Sequence, residues 1–120
     1  MLKSLLLTSF FLLSSFSLVQ ANALKDAIIQ VVKFLDDTPE VDWYRVDRES
    51  LIIGWRGIPR LFNQTNRKAA RRAAISSGRE VHVWAVRHNQ KEWKVGIGTS
   101  HICSVIAKNN GRIKTDTCPY

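Results

Sequence analysis

The sequence is poor in the residues and motifs that usually mark metal, cofactor or covalent chemistry. It has two cysteines in 120 residues with no CxxC pair, and its three histidines form neither HxH nor HxxxH. Metal sites use ligands at such short spacings, so we expect no metal. The chain also lacks GxSxG, a Walker-type loop, HExxH and GxGxxG, and we expect no cofactor.

The sequence also lacks an apolar run long enough to cross a membrane. The longest apolar stretch, Leu5 to Val19, has 15 residues, whereas a spanning helix needs about 20. Lys3 precedes this stretch, and Ala21-Asn22-Ala23 follows it with the small-x-small pattern that a signal peptidase recognises. The pattern predicts a cleaved signal peptide over 1–23, no transmembrane segment, and a secreted or periplasmic protein formed by residues 24–120.

The two cysteines have the spacing of a bridge across a hairpin. Asn110-Gly111 is typical of a two-residue type I′ turn, which needs a positive φ at both positions. With these two residues as the loop, Cys103 and Cys118 lie directly opposite each other, about 4.5–5.5 Å apart at Cα, which a disulfide spans. Because disulfides persist in exported proteins, we expect a Cys103–Cys118 bridge rather than a reactive or metal-binding thiol.

Two segments have the pattern of helices. In residues 24–37 apolar side chains recur at i, i+3 and i+4, and Pro39 requires the helix to end before it. The β-branched run 28–32 leaves a strand as the alternative for part of this segment. Pro59 and Gly78 bound the second helix. One side of that helix carries a narrow stripe suited to close packing on a sheet: Phe62, Ala69, Ala70 and Ala73.

The rest of the chain indicates a sheet. Six segments are predicted strands: 43–47, 51–56, 80–87, 93–97, 101–108 and 112–117. Only a loop with an even number of residues, here Arg48-Glu49, places the apolar faces of the first two strands on one side. Short turns between the last four favour an antiparallel meander. We therefore predict one small α+β domain over 24–120, with two helices packed on an antiparallel sheet made of an N-terminal hairpin and a C-terminal four-stranded meander, and one disulfide.

Acidic residues are absent from Leu51 through Arg79, in a chain whose net charge is +8. Seven basic residues lie between Arg56 and Arg79. On the second helix, basic residues repeat at i and i+4, a like-charge spacing that costs a few tenths of a kcal/mol. A polyanion along this face would offset that cost, because each phosphate or sulfate that is neutralised releases counterions. The predicted binding residues are Arg67, Lys68, Arg71 and Arg72, with Arg56 as a further cation.

We therefore expect a non-enzymatic binding protein whose partner is a polyanion or an acidic protein. An envelope glycan, lipid headgroups and nucleic acid all have the required charge. The alternative is that the basic helix is an ordinary solvated face, or that the acidic segment 24–44 folds against it and neutralises it.

Two other classes of function remain as alternatives. Glu80 and His82 alternate onto one face of a predicted strand, and a small secreted hydrolase of the nuclease type would use such a pair with nearby cations. The competing interpretation of His82 is a surface or capped core histidine. Trp43 lies on the half-polar face of the first hairpin beside Arg45, where a secreted inhibitor or effector could contact another protein; the competing interpretation is core packing.

Overall fold

The computed structural model describes residues 19–96 and 100–119, so the predicted signal peptide falls largely outside the described residues. Residues 19–31 form helix α1, and a 3-10 helix follows at Lys33–Asp37, before Pro39. The later elements are β1 (Val41–Asp47), β2 (Ser50–Trp55), α2 (Phe62–Ser77), β3 (Val81–Arg87), β4 (Cys103–Ala107) and β5 (Ile113–Asp116). Among the described helices, none combines the length and the apolar character needed to cross a membrane.

The five strands form one mixed sheet in the order β1-β2-β3-β4-β5. Strands β2 and β3 are parallel, whereas the other three neighbouring pairs are antiparallel. The prediction of a purely antiparallel sheet is therefore wrong. The physical reason is the 16-residue helix between β2 and β3: this long crossover returns the chain to the same end of the sheet, and β3 then runs alongside β2 in the same direction.

The predicted four-stranded meander is also wrong, because the segment 93–97 contributes no strand in its described part. Residues 93–96 lie in a loop instead, and residue 97 is outside the described residues. The Arg45 guanidinium donates hydrogen bonds to the carbonyls of Lys91 and Trp93, which holds the loop against the sheet. The Arg45 side chain thus donates the hydrogen bonds that a neighbouring strand would otherwise give to these carbonyls. After α2, the described chain contains three strands.

The two faces of the sheet are covered differently. Helix α2 packs over β3 and β4 on the inner face, where Trp55 meets Phe62 edge-to-face with ring centroids 4.7 Å apart. On the outer face the loop lays Trp93, only 6% exposed, against Ile52 and Val86. Fully or almost fully buried residues of the main core include Ile28, Val32 and Leu35 from the N-terminal helices, alternate residues of the central strands, and the predicted stripe Phe62, Ala69, Ala70 and Ala73.

The first hairpin has the predicted two-residue loop. Tyr44 pairs with Ile53 and Val46 with Leu51, so the apolar faces of β1 and β2 lie on the same side of the sheet. Arg48 in the loop has a φ of 57°, the only positive φ at a non-glycine residue in the described chain.

The Cys103–Cys118 disulfide is present, with the two Cα atoms 4.8 Å apart. The turn that predicted it is different, however. Of Asn110 and Gly111, only Gly111 has a positive φ, 86°. The Lys108 N–H donates to the Arg112 carbonyl, which closes a three-residue loop over 109–111 instead of a type I′ turn.

A register shift explains why the pairing of the cysteines survives the longer loop. The shift lies between Ile106 and Ala107 and moves the two strands by one residue relative to each other. Beyond it, Val105 pairs with Asp116, the register in which the two cysteines face each other. The predicted disulfide is therefore confirmed although the predicted turn type is wrong.

Candidate binding surface on the second helix

Helix α2 separates small inward residues from basic outward residues. It ends at Gly78, whose φ of 66° is the left-handed conformation that glycine adopts without strain, and the Gly78 N–H donates to the Ile75 carbonyl. At 100° per residue the buried alanines occupy one side and the cations the other. We call the three exposed outward cations the basic crest: Lys68, Arg71 and Arg72.

Arg67, the fourth predicted cation of the helix, is bound internally. Its guanidinium forms a salt bridge with Asp116 of β5, whose side chain is only 9% exposed. Burial raises the pKa of Asp116, but hydrogen bonds from the Cys118 N–H and from the Arg67 and Asn63 side chains outweigh it, and the pKa falls below its ordinary value. Arg67 therefore joins α2 to the edge of the sheet, with its charge offset by Asp116.

Two crest residues share an aromatic support. Lys68 Nζ lies 4.4 Å from the centroid of the Phe34 ring, and the Arg72 guanidinium carbon lies 5.3 Å from it. Phe34 belongs to the 3-10 helix and is half-buried. A cation–π contact orients a charged side chain without neutralising it, so both charges remain available to a partner.

The third crest residue, Arg71, is exposed, and the described residues offer it neither a hydrogen bond nor an ion pair. The predicted acidic segment 24–44 does not neutralise the crest. Its one salt bridge with an arginine runs from Asp42 to Arg56, within the part of the chain that the structure describes. Internal pairing therefore accounts for Arg56 and Arg67 but leaves the crest unpaired.

Arg56, predicted as a further cation of the same surface, lies elsewhere. It follows β2, and its bond to Asp42 lowers the pKa of that carboxyl group. Arg56 lines a pocket at the end of the sheet, whereas Lys68 lines a groove of about 630 Å³ between the 3-10 helix and the start of α2. That groove carries acidic and basic side chains on its walls: Asp37, Glu40, Arg60 and Lys68.

The predicted catalytic candidates lie on the outer face, on the other side of the sheet from α2. Glu80 is held by Lys114 at 3.2 Å. His82 stacks on Trp84 with ring centroids 3.9 Å apart, and burial and His101 lower its pKa against a smaller opposing effect of Glu80. Among the described residues Glu80 and His82 share no hydrogen bond, and the contact between them is the electrostatic effect of Glu80 on the pKa of His82.

Trp43 is used internally as well. Its indole covers Gly54, where a Cβ would lie 2.2 Å from Trp43 Cε2, and its Nε1–H donates to the His88 carbonyl at 2.7 Å. The Arg45 guanidinium carbon lies 5.1 Å from the centroid of the same ring. These contacts give Trp43 a packing role beneath the loop of 88–96.

Sequence reasoning missed the contribution of Phe34 and the aromatic cluster formed by Trp84, Trp93 and His101. Alternation along one strand could have placed His82 next to Trp84. The contact of Lys68 with Phe34 joins positions 34 residues apart, and no local pattern indicates it.

No family model matches the chain, and neither a curated protein nor a solved structure does.

Proposed function

We propose that this is a non-enzymatic binding protein that holds a polyanion along the basic crest of α2. The observation that carries the proposal is that Lys68, Arg71 and Arg72 are exposed and have no acidic partner among the described residues. Three other arginines of the same basic segment, Arg56, Arg67 and Arg79, each have one. The Phe34 ring holds the side chains of Lys68 and Arg72, so these two cations lose less conformational freedom when an anion binds, and this favours binding.

The spacing of the crest suits a linear anion. Residues three and four apart on a helix lie about 5–6 Å from each other at Cβ. A chain that carries a phosphate or sulfate every few ångströms can therefore contact all three cations at once. Envelope or matrix glycans, lipid headgroups and nucleic acid all have this chemistry, and an acidic protein segment has a weaker version of it.

We place this activity outside the cytoplasm. The N-terminal pattern is typical of a cleaved signal peptide, and the Cys103–Cys118 bridge is of the kind that persists in oxidising compartments. Polyanions of the cell envelope or of the extracellular matrix are the partners available there.

The test compares two double variants that lose the same charge. The crest variant carries Arg71→Ser and Arg72→Ser, and the control carries Lys91→Ser and Lys94→Ser in the exposed loop after β3. Short duplex DNA serves as a polyanion probe of known charge density, and heparin as a second probe. Each lost phosphate contact reduces the magnitude of the negative slope of log K against log salt by about 0.9. The crest variant loses two contacts, so the magnitude of its slope should fall by about 2.

The control should retain a slope close to that of the wild-type protein. Equal losses in the two variants would show that only net charge matters, and an unchanged slope in the crest variant would show that the polyanion binds elsewhere. Either result overturns the proposal. Matching melting temperatures confirm that the three proteins are equally folded.

The hydrolase and inhibitor hypotheses have weaker support. Glu80 is tied to Lys114, and the indole N–H of Trp43 is tied to the His88 carbonyl. The crest residues, by contrast, have no acidic partner among the described residues.

A further inference from the structure

A second basic feature lies at the end of the sheet, away from the crest. Strands β2 and β3 are parallel and end side by side, with Trp55 paired to Arg87. Ligands of open α/β sheets bind outside the carboxyl ends of the strands, and the residues that follow β2 and β3 lie at that end of this sheet. Here a pocket of about 370 Å³ is formed by the residues after β2, the end of β3 and the residues just before β4.

The lining of this pocket is basic. Arg56, Arg87, His88 and His101 line it together, and none of its described lining residues carries a carboxylate. Asp42 lies outside the lining and binds Arg56, and its Oδ2 is 3.8 Å from His88 Nδ1. A guanidinium has five N–H donors, so this bond leaves Arg56 with donors to spare.

Of these four side chains, that of Arg87 is the freest to bind a ligand. Its side chain is exposed and, in the described part of the chain, makes no hydrogen bond or ion pair. Its planar guanidinium can give two parallel hydrogen bonds to an oxyanion. Without counting the two histidines, two arginines and the one carboxylate of Asp42 give the pocket a net positive charge.

Hydrogen bonds to backbone carbonyls hold the walls of the pocket in place. The His88 N–H donates to the Trp55 carbonyl at 2.8 Å, and the His88 carbonyl accepts from Trp43 Nε1 at 2.7 Å. Gln90 Nε2 donates to the Ser100 carbonyl at 3.1 Å, which ties the two ends of the loop together. These bonds fix the backbone at residues 88 and 100 without a ligand, which lowers the entropy cost of ordering the pocket walls when one binds.

We propose that this pocket binds the phosphate group of a small phosphorylated molecule. The pocket volume lies in the range of about 300–1,000 Å³ that is usual for small-ligand sites. The neutral polar residues Asn89 and Ser100 complete a lining that matches a tetrahedral oxyanion. This inference is independent of the crest, because the two surfaces share no residue.

The experiment is an isothermal titration of the oxidised protein with inorganic phosphate and, separately, with ribose 5-phosphate. The pocket variant is Arg87→Gln. Its control is Arg112→Gln, which removes the same charge from another exposed arginine, in the loop between β4 and β5. We expect saturable binding of one phosphate group, weakened about tenfold or more by Arg87→Gln, because two charge-assisted hydrogen bonds are lost, and changed less than about twofold by Arg112→Gln.

Absence of saturable binding in the wild-type protein overturns the inference, and so does equal weakening by the two variants. Tighter binding of the ester than of inorganic phosphate supports a phosphate monoester as the ligand, whereas equal binding of the two probes would contradict a phosphorylated molecule as the ligand. Polyanion binding measured on the Arg87→Gln protein keeps the two proposals apart, since the crest is intact in that variant.

Discussion

Removal of the disulfide tests the energetics of the fold. The double variant Cys103→Ala and Cys118→Ala opens a loop with a sequence separation of 15 residues. In the chain-entropy model, a bridge over a loop of about 15 residues contributes about 3 kcal/mol by restricting the unfolded chain. Cys103 is also 1% exposed and belongs to the main core, so loss of its sulfur adds about 1 kcal/mol. We expect the free energy of unfolding to fall by about 3–4 kcal/mol in total.

Urea unfolding followed by tryptophan fluorescence measures this loss. With an m value of about 2 kcal/mol/M, the midpoint should fall by about 1.5–2 M. Dithiothreitol should shift the wild-type protein in the same direction and leave the double variant unchanged, which separates the bridge from the substitutions. A loss below about 1 kcal/mol would refute the reasoning, since it would mean that the unfolded chain gains little freedom when the bridge is removed.

Three further substitutions probe particular contacts. Gly54→Ala should displace the indole of Trp43 and cost about 1–3 kcal/mol in urea unfolding, with a red shift in tryptophan emission; unchanged stability would contradict the close contact. Because the pKa of Asp116 is lowered on folding, its contribution to stability is present above its unfolded pKa and is lost as the pH falls. Asp116→Asn should therefore flatten the acid decline of the melting temperature, and release of Arg67 should delay elution from heparin; an unchanged acid profile would count against the salt bridge. Burial and a carboxylate partner raise the pKa of Tyr44 from 10.0 to about 12. The contribution of Tyr44 to the free energy of unfolding is therefore present below pH 10 and is lost as the pH rises towards 12. Tyr44→Phe should remove the step at the highest pH from the phenolate absorbance titration.

Local patterns predicted the parts of the fold that depend on neighbours in sequence. The alanine stripe, the two-residue loop after β1 and the end of α2 at Gly78 follow from side-chain period and glycine chemistry. The disulfide was also predicted, although the structure reaches the same pairing through a longer loop and a compensating register shift.

The order of strands depends on contacts that no local pattern contains. Turn signals cannot distinguish a hairpin from a crossover once a helix separates two strands, so the parallel pairing of β2 with β3 was missed. The segment 93–97 has the composition of a strand, but burial of Trp93 on the outer face and the hydrogen bonds from Arg45 outweigh that propensity.

The charges of the candidate surface were visible in the sequence, but their pairing was not. Arg67 meets Asp116, which is 49 residues away, and Arg56 meets Asp42 on the neighbouring strand. Only the folded arrangement shows which of the predicted cations are free. It reduces the predicted helix surface to Lys68, Arg71 and Arg72.

Amide chemical-shift mapping during a titration with a heparin oligosaccharide locates the polyanion on the fold. We predict that the perturbed amides follow α2 around Lys68, Arg71 and Arg72, with smaller changes at Phe34, whose ring supports two of these side chains. The loop of 88–96 should remain unperturbed. Perturbations confined to that loop, with the amides of α2 unchanged, would contradict the assignment of the basic crest as the binding surface.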